Sequence, residues 1–424
     1  MRFRWAALFA VGIALASNGC GGSEQDTASP PPGLVPLLTF SQMQLSDEFF
    51  AEGVAAGDIN RDGNSDIVAG PFWYAGPIFQ QRTAFRNPVA FDPLGSSDDF
   101  LTFTHDFNRD GWTDILIIGF PGADATWFRN PQNAGGLWMA HTVFNGVGNE
   151  SPAFSDLTGD GAPELVFQND GQLGWAGPDP ADASIPWVFH AISPSLGSTP
   201  FFHGLGVGDV NGDGRRDVLA SGGWWEQPAS LAGDPEWVQH PVDFGSGAQI
   251  YVFDVDGDGD NDVVSSTNAH GFGLAWFEQR NVGGQITFCR HLIMDDTPEE
   301  NRYGVKFSQP HALVVADMDG DGLADIITGK RRWAHGPSMD PEANFPPVLY
   351  WFRTVRSSQG VDFVPFLVDS NSGVGTQFVV ADMNGDGRQD ILVSNKLGTF
   401  YRQQTGPMDG TPPQALFPGA PPCT

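Results

Sequence analysis

Apolar residues in this chain come in short bursts. Runs such as "DIVAG", "DILII", "DVLAS", "DVVSS" and "DIITG" are bounded by glycine, proline, asparagine and aspartate. No long stretch carries the 3.6-residue period of an amphipathic helix, so the pattern predicts an all-β chain of short strands and tight turns. The runs recur in a fixed order. A stretch of small and apolar residues ("GVAAGD", "GLGVGD", "LVVAD") leads into an acidic nonapeptide, and a β-type run follows it. An aromatic run comes third: "FWYAGP", "TWFRNP", "LGWAGP", "GGWWEQP", "LAWFEQ", "LYWFRT" and "GTFYRQ". The fourth element is "RTAFRNPV", "LWMAHTVF", "PWVFHAI", "EWVQHPV", "ITFCRHLI" or "VDFVPFLV".

The nonapeptide occurs seven times, starting at residues 58, 106, 156, 209, 254, 317 and 382, so the spacings are 48, 50, 53, 45, 63 and 65 residues. The fourth element has six copies, and none follows the seventh nonapeptide. The missing copy stands at the other end of the chain: "LLTFSQMQLSD", residues 37–47, resembles "QITFCRHLIMD" at 285 and "GVDFVPFLVDS" at 360. Seven four-stranded units with a strand borrowed across the termini predict a seven-bladed β-propeller, since repeats of this period stack and closure protects the sheet edges.

Composition narrows the partners. The net charge of −30 excludes a nucleic-acid-binding surface, which has to be basic. The N-terminus "MRFRWAALFAVGIALASNGC" has Arg2 and Arg4, an apolar run too short to span a bilayer, and small residues before a cysteine. It resembles a bacterial lipoprotein signal, which implies export, lipidation at Cys20, and a place on the outer membrane, the cell surface or in the periplasm. The expected organisation is an export signal over 1–20, a flexible proline-rich linker over 21–35, the propeller over 36–405 and a proline-rich tail over 406–424. An exported chain can oxidise Cys289 and Cys423; two free thiols and one bridge are equally compatible with their positions.

The seven acidic loops, in register between strands, resemble those of the FG-GAP/VCBS repeat family, whose blades are related to the integrin alpha-subunit propeller. The resemblance covers residues 37 to about 403. The recurrent "AGP" after strands echoes that family's Gly-Ala-Pro signature loosely.

In the pattern D-x-[DN]-x-D-G-x-x-D, side-chain oxygens at positions 1, 3, 5 and 9 and the backbone carbonyl at position 7 can converge on one cation, and calcium takes six to eight such oxygens. An EF-hand would instead place Glu at position 12 between helices. The candidate ligands of the first loop are Asp58, Asn60, Asp62, Asn64 and Asp66, and of the second Asp106, Asn108, Asp110, Trp112 and Asp114. The third offers Asp156, Thr158, Asp160, Ala162 and Glu164, and the fourth Asp209, Asn211, Asp213, Arg215 and Asp217. The fifth offers Asp254, Asp256, Asp258, Asp260 and Asp262, and the sixth Asp317, Asp319, Asp321, Leu323 and Asp325. The seventh offers Asp382, Asn384, Asp386, Arg388 and Asp390. Carboxylates at positions 1, 3, 5 and 9 number 23 of the chain's 51 acids, a density that repels itself unless cations neutralise it. Up to seven structural Ca²⁺ ions are expected. The third loop should be weakest, because Thr158 and Glu164 replace the usual residues.

The first strand of each unit should line a central channel with its acidic loop at one end. The residue six before each first Asp then lies near the opposite mouth: Glu52, Phe100, Glu150, His203, Ala248, His311 and Thr376. Two long insertions map to the same face, "MDDTPEENRYGVKFSQPH" and "GKRRWAHGPSMDPEANFPP". Lys330, Arg331, Arg332 and His335 make the densest basic cluster of the chain. It reads either as a solvated loop or as an anion-recognition site. The once-per-unit tryptophans Trp73, Trp127, Trp175, Trp225, Trp276 and Trp351 read as packing between blades. The expected function is a non-catalytic, monomeric binding module for a protein or carbohydrate ligand. The alternative is a polysaccharide lyase or sugar dehydratase in which Arg331 or Arg332 neutralises a carboxylate and His203 or His311 moves a proton.

Overall fold

The computed structural model describes residues 38–197, 199–297 and 302–407. Among these residues there are strands and turns and no helix. The four-stranded antiparallel meander is the repeating element. In the first unit Ala55–Gly57, Asp66–Ala69, Phe72–Tyr74 and Arg82–Ala84 pair in chain order. The sixth runs through Leu313–Ala316, Asp325–Gly329, Leu349–Ser357 and Gly360–Asp369 in the same way.

Some units merge. The strand Met139–Ser155 is the outer strand of the second unit along its first half and the inner strand of the third along its second, giving a seven-stranded sheet. The inner strands Leu205–Gly208 and Gln249–Phe253 pair in parallel, giving an eight-stranded one. Gly206 permits that approach, because a Cβ on it would stand 2.1 Å from the Ile250 carbonyl oxygen. In the last unit the order is Leu38–Ser46, Gly398–Pro407, Asp390–Asn395, Phe378–Ala381, so the first strand of the described chain covers the edge of the last.

The core lies between neighbouring units. Leu116 and Trp127 of the second unit pack with Leu165 and Phe167 of the third. Ile67, Phe72 and Tyr74 of the first unit share one cluster with Leu392 and Tyr401 of the last, and the rings of Phe79 and Tyr401 are 4.9 Å apart. This all-β arrangement of curled, radially packed meanders fits a β-propeller.

The aromatic run explains the packing at finer grain. Trp127, Trp175, Trp224 and Trp276 each stack on the histidine opposite them in the outer strand, with centroids 4.0–4.9 Å apart on His141, His190, His240 and His291. In the fourth unit the repeating position is Trp224 rather than the expected Trp225. Trp224 pairs with Leu219, as Trp127 pairs with Leu116. A "WW" pair leaves that choice open until register decides it. Cys289 is buried and disulfide-bonded, which overturns the free-thiol alternative. Residues 406–407, expected in the tail, extend the last strand and pair with Leu38 and Thr39; Cys423, Cys20, the signal and linker segments and the tail beyond residue 407 lie outside the described residues, as do residues 298–301 of the first long insertion.

Candidate functional site

Each acidic nonapeptide joins the first two strands of its unit. All seven hold positions 4 and 6 in the left-handed backbone region; in the first loop these are Arg61 at φ 58° and Gly63 at φ 88°. The bend turns the position 1 carboxylate inward. Asp58 accepts from the N–H groups of Asp62 and Gly63 at 3.1 and 3.0 Å, and Asn60 Oδ1 accepts from Asp62 N–H at 2.8 Å. Asp209, Asp317 and Asp382 accept the same pair of backbone N–H bonds.

The position 9 acid has a second task. Asp66 accepts from Ile59 N–H at 2.9 Å and from Gly76 N–H at 2.8 Å, so it clamps the loop to the end of the third strand. Asp217, Asp262, Asp325 and Asp390 repeat the clamp. Burial pushes Asp114, Asp217, Asp262 and Asp325 up to about 7. In the third loop the longer Glu164 takes N–H bonds from Leu157 and Thr158 and one from the Thr158 hydroxyl at 3.0 Å.

The donor set of these loops consists of hard oxygens, which fits calcium. Carboxylates come within 4.8 Å of one another in Asp254, Asp256 and Asp262 and in Asp156, Asp160 and Glu164. Arginines supply part of the neutralisation elsewhere. Arg353 grips Asp319 at 2.5 Å and Asp321 at 2.7 Å, Arg388 holds Asp386 at 2.7 Å, and Arg215 folds back on Asp213.

At the opposite end of the inner strands a different chemistry gathers. Gly375 lets the last unit close on Glu52, since a Cβ there would meet the Glu52 carbonyl oxygen at 2.0 Å. Arg331 donates to Glu52 Oε1 at 2.5 Å and lies 3.9 Å from Glu150 Oε2; all three side chains are buried. His311 Nε2 lies 3.0 Å from Glu150 Oε2, and His203 Nε2 lies 3.5 Å from it. His270, from the loop after the second strand of the fifth unit, brings its Nε2 to 2.7 Å from His203 Nε2. Beyond it, His335 pairs with Asp340 at 2.9 Å. Burial and the neighbouring histidines push His270 down to about 2; burial and the Arg331 charge push His311 down to about 4. Although burial opposes it, hydrogen bonds from His203 and His311 hold the Glu150 carboxyl below its ordinary range.

The structure thus brings His203, His311 and Arg331 together and leaves Arg332 out: its guanidinium stacks over the Trp333 ring at 4.2 Å. The basic run is not one patch. Lys330 is buried, donates to Ser308 Oγ at 2.6 Å, and burial pushes it down to about 8. Of the residues aligned to this mouth, Ala248 and Thr376 are buried and serve packing and backbone contacts. Phe100 lies under the Arg331 guanidinium at 5.2 Å. From Phe100 an aromatic line continues outward, to Phe120 at 5.8 Å and on to Phe201 at 5.6 Å. Phe120 and Phe201 are 40% and 47% exposed, so an apolar shelf borders the charged well. Between well and acidic loops, the inner strands line an open cavity of about 290 Å³ bordered by Phe103, Phe154, Tyr251 and Phe378.

His270, Phe120 and Phe201 were missed by sequence reasoning. The strand order places the loop of His270, between the second and third strands of its unit, at this face, but nothing in the loop's own sequence marks the residue.

Comparison with known proteins agrees with the repeat. Residues 106–167 and 254–328 match the FG-GAP-like repeat, and residues 374–407 match the FG-GAP repeat. The chain therefore carries FG-GAP-type repeats. Among solved structures it is similar to the rhamnogalacturonan lyase YesW, at 13% identity over 90% of this chain and 76% of that one, TM-score 0.45. The exotype lyase YesX gives 11% identity over 89% and 75%, TM-score 0.44. An Agrocybe aegerita lectin that recognises non-reducing terminal N-acetylglucosamine gives 16% identity over 87% and 80%, TM-score 0.33. Likenesses this distant carry no argument about activity.

Proposed function

We propose that this chain is an exported, calcium-stabilised, seven-bladed β-propeller that binds carbohydrate at the mouth opposite its acidic loops. The observation that carries the reading is the exposed Phe120–Phe201 shelf running by way of Phe100 into a well of Arg331, Glu52, Glu150 and three histidines. A sugar offers an apolar ring face and a rim of hydroxyls. The exposed phenyl rings match the first half, and the exposed His335 at the rim of the well, its ring 4.3 Å from that of His270, offers a polar group to the second, while the buried Arg331, Glu52 and Glu150 hold the shape of the well.

The scaffold part rests on repetition. Seven acidic hairpins, the shared core of the first and last units, and the pairing of Leu38–Ser46 with Gly398–Pro407 support seven blades closed by the N-terminal strand. Calcium in the loops would be held by the oxygens at positions 1, 3 and 5, the position 7 carbonyl and the remaining lone pairs of the position 9 clamp. Its contribution is to hold together hairpins that their own charge drives apart. Export and a lipid on Cys20 rest on the signal-like N-terminus, and a monomeric state belongs to the same reading.

Convergence of His203, His311 and Arg331 favours a second reading, an elimination enzyme. It is the weaker one. Arg331 is engaged by two carboxylates at 4% exposure and His311 is fully buried, so neither the cation nor that base faces a substrate. Probing an oligosaccharide array with the calcium-loaded protein tests the proposal. Retention of a defined subset without an unsaturated product supports binding. Release of an unsaturated uronate would overturn it in favour of the enzyme.

A further inference from the structure

The histidine cluster has a geometry that carbohydrate binding does not require. The imidazoles of His203, His270 and His311 are mutually inclined by 70–76°, with centroids 4.6, 5.0 and 5.4 Å apart. Ligand atoms of all three, together with a Glu150 oxygen, lie within 4.8 Å of one another. Zinc–nitrogen bonds of about 2.0–2.1 Å at the tetrahedral angle place imidazole centroids about 5 Å apart. The cluster also holds two facing ring nitrogens, His203 Nε2 and His270 Nε2, at 2.7 Å. Neutral imidazoles satisfy that contact with one proton at most, and the Glu150 oxygen 3.5 Å from His203 Nε2 competes for it.

We propose that Glu150, His203, His270 and His311 form a closed binding site for one zinc-class divalent ion, separate from the calcium loops. Three imidazoles and a carboxylate are the donors that borderline metals select and calcium does not. Four protein ligands complete a tetrahedral shell, the pattern of a structural ion. The ligands come from four different units: the start of the third, fourth and sixth inner strands, and the second-to-third-strand loop of the fifth. One ion would therefore brace the channel mouth across its axis. Loading parts the His203 and His270 nitrogens by about half an ångström, since tetrahedral nitrogens about 2.0–2.1 Å from zinc stand about 3.3 Å apart. His270 is only half-buried and sits in a loop, so it has room to give. Arg331, 3.9 Å from Glu150 Oε2, offsets the carboxylate charge from outside the shell.

This inference does not depend on a sugar ligand, and the two fail separately. The test uses the untagged full chain, stripped of metal and returned to millimolar calcium so that the acidic loops are occupied. After incubation with Zn²⁺ and desalting, elemental analysis should find one zinc per chain. Co²⁺ in its place should give the intense visible bands of a tetrahedral site. His270→Ala and Glu150→Gln should each weaken retention at least tenfold and abolish the cobalt spectrum, with circular dichroism confirming the fold. His270→Ala is the decisive variant, because its half-buried loop position tolerates truncation. Absence of retained zinc, or retention that His270→Ala leaves unchanged, overturns the proposal.

Discussion

Replacing Arg331 by methionine tests whether the charged well supports the fold. The guanidinium stands between Glu52 and Glu150, at 2.5 and 3.9 Å, with side-chain exposures of 4%, 1% and 8% for the three residues. Methionine keeps most of the volume and removes the charge. Glu52 then retains only its bonds from Ser97, at 3.3 and 3.4 Å. Stranding a buried charge in this way costs about 3–5 kcal/mol. For a body spanning residues 38–407, about 2.1 cal/mol/K per residue gives an unfolding entropy near 0.8 kcal/mol/K. The melting temperature should therefore fall by about 4–6 °C. Adding Glu52→Gln should recover much of the loss, because removing both partners of a buried pair costs far less than removing one. Differential scanning calorimetry in saturating calcium, repeated at two scan rates, reads the shift. An Arg331→Met melt within about 1 °C of wild type, or a double variant less stable than either single one, would refute the reasoning.

Three further expectations follow from the same structure. Chelating calcium with EDTA should lower the melting temperature by many degrees, because a ligand bound only to the native state stabilises it by mass action; Asp258→Ala should mimic part of the loss and Thr158→Ala less of it, and identical melts with and without EDTA would remove calcium from the account. Deleting residues 36–46 should expose the Gly398–Pro407 edge and produce aggregation or a large drop in melting temperature, whereas an equally stable truncation would mean that the last sheet needs no added strand. Burial raises Asp99 to about 7 from an ordinary value near 3.9, so the folded protein binds a proton there that the unfolded chain does not. That contribution is complete below about pH 4 and is lost as pH rises through 7. The melting temperature of wild type minus that of Asp99→Asn should shrink between pH 4.5 and 8, and a flat difference would contradict the assignment.

Much of the scaffold could be read from the chain because each unit repeats the same local rules. Short continuous apolar runs set the strands, and the Gly at position 6 marks the turn. The likeness of residues 37–47 to later outer strands points to the pairing of Leu38–Ser46 with Gly398–Pro407. Counting six residues back from each first Asp also finds Glu52, Glu150, His203 and His311 at one mouth, since extended residues counted back from equivalent loops lie at equal depth. What was not legible depends on side-chain direction or on register. Arg331 and Arg332 are adjacent in sequence yet point to different neighbours, one to Glu52 and the other to Trp333. The position 9 acids read as cation ligands, but their two backbone N–H bonds come from residues 7 positions before and 10–29 positions after, which no local pattern reveals. His270 lies in the loop "STNAHGFG", which has no repeat partner to mark it. Fusion of the second and third units through Met139–Ser155 likewise follows from hydrogen bonding across a stretch that composition assigns to a connection.

The carbohydrate reading is tested most directly by titration calorimetry of the best array ligand against wild type and the Phe120→Ala, Phe201→Ala double variant. Both side chains are exposed, so their removal should leave the melting temperature unchanged. The account predicts a saturable, one-to-one isotherm for wild type and at least a tenfold loss of affinity in the variant. Equal affinities for the two proteins, or no heat from any glycan at millimolar concentration, would contradict it.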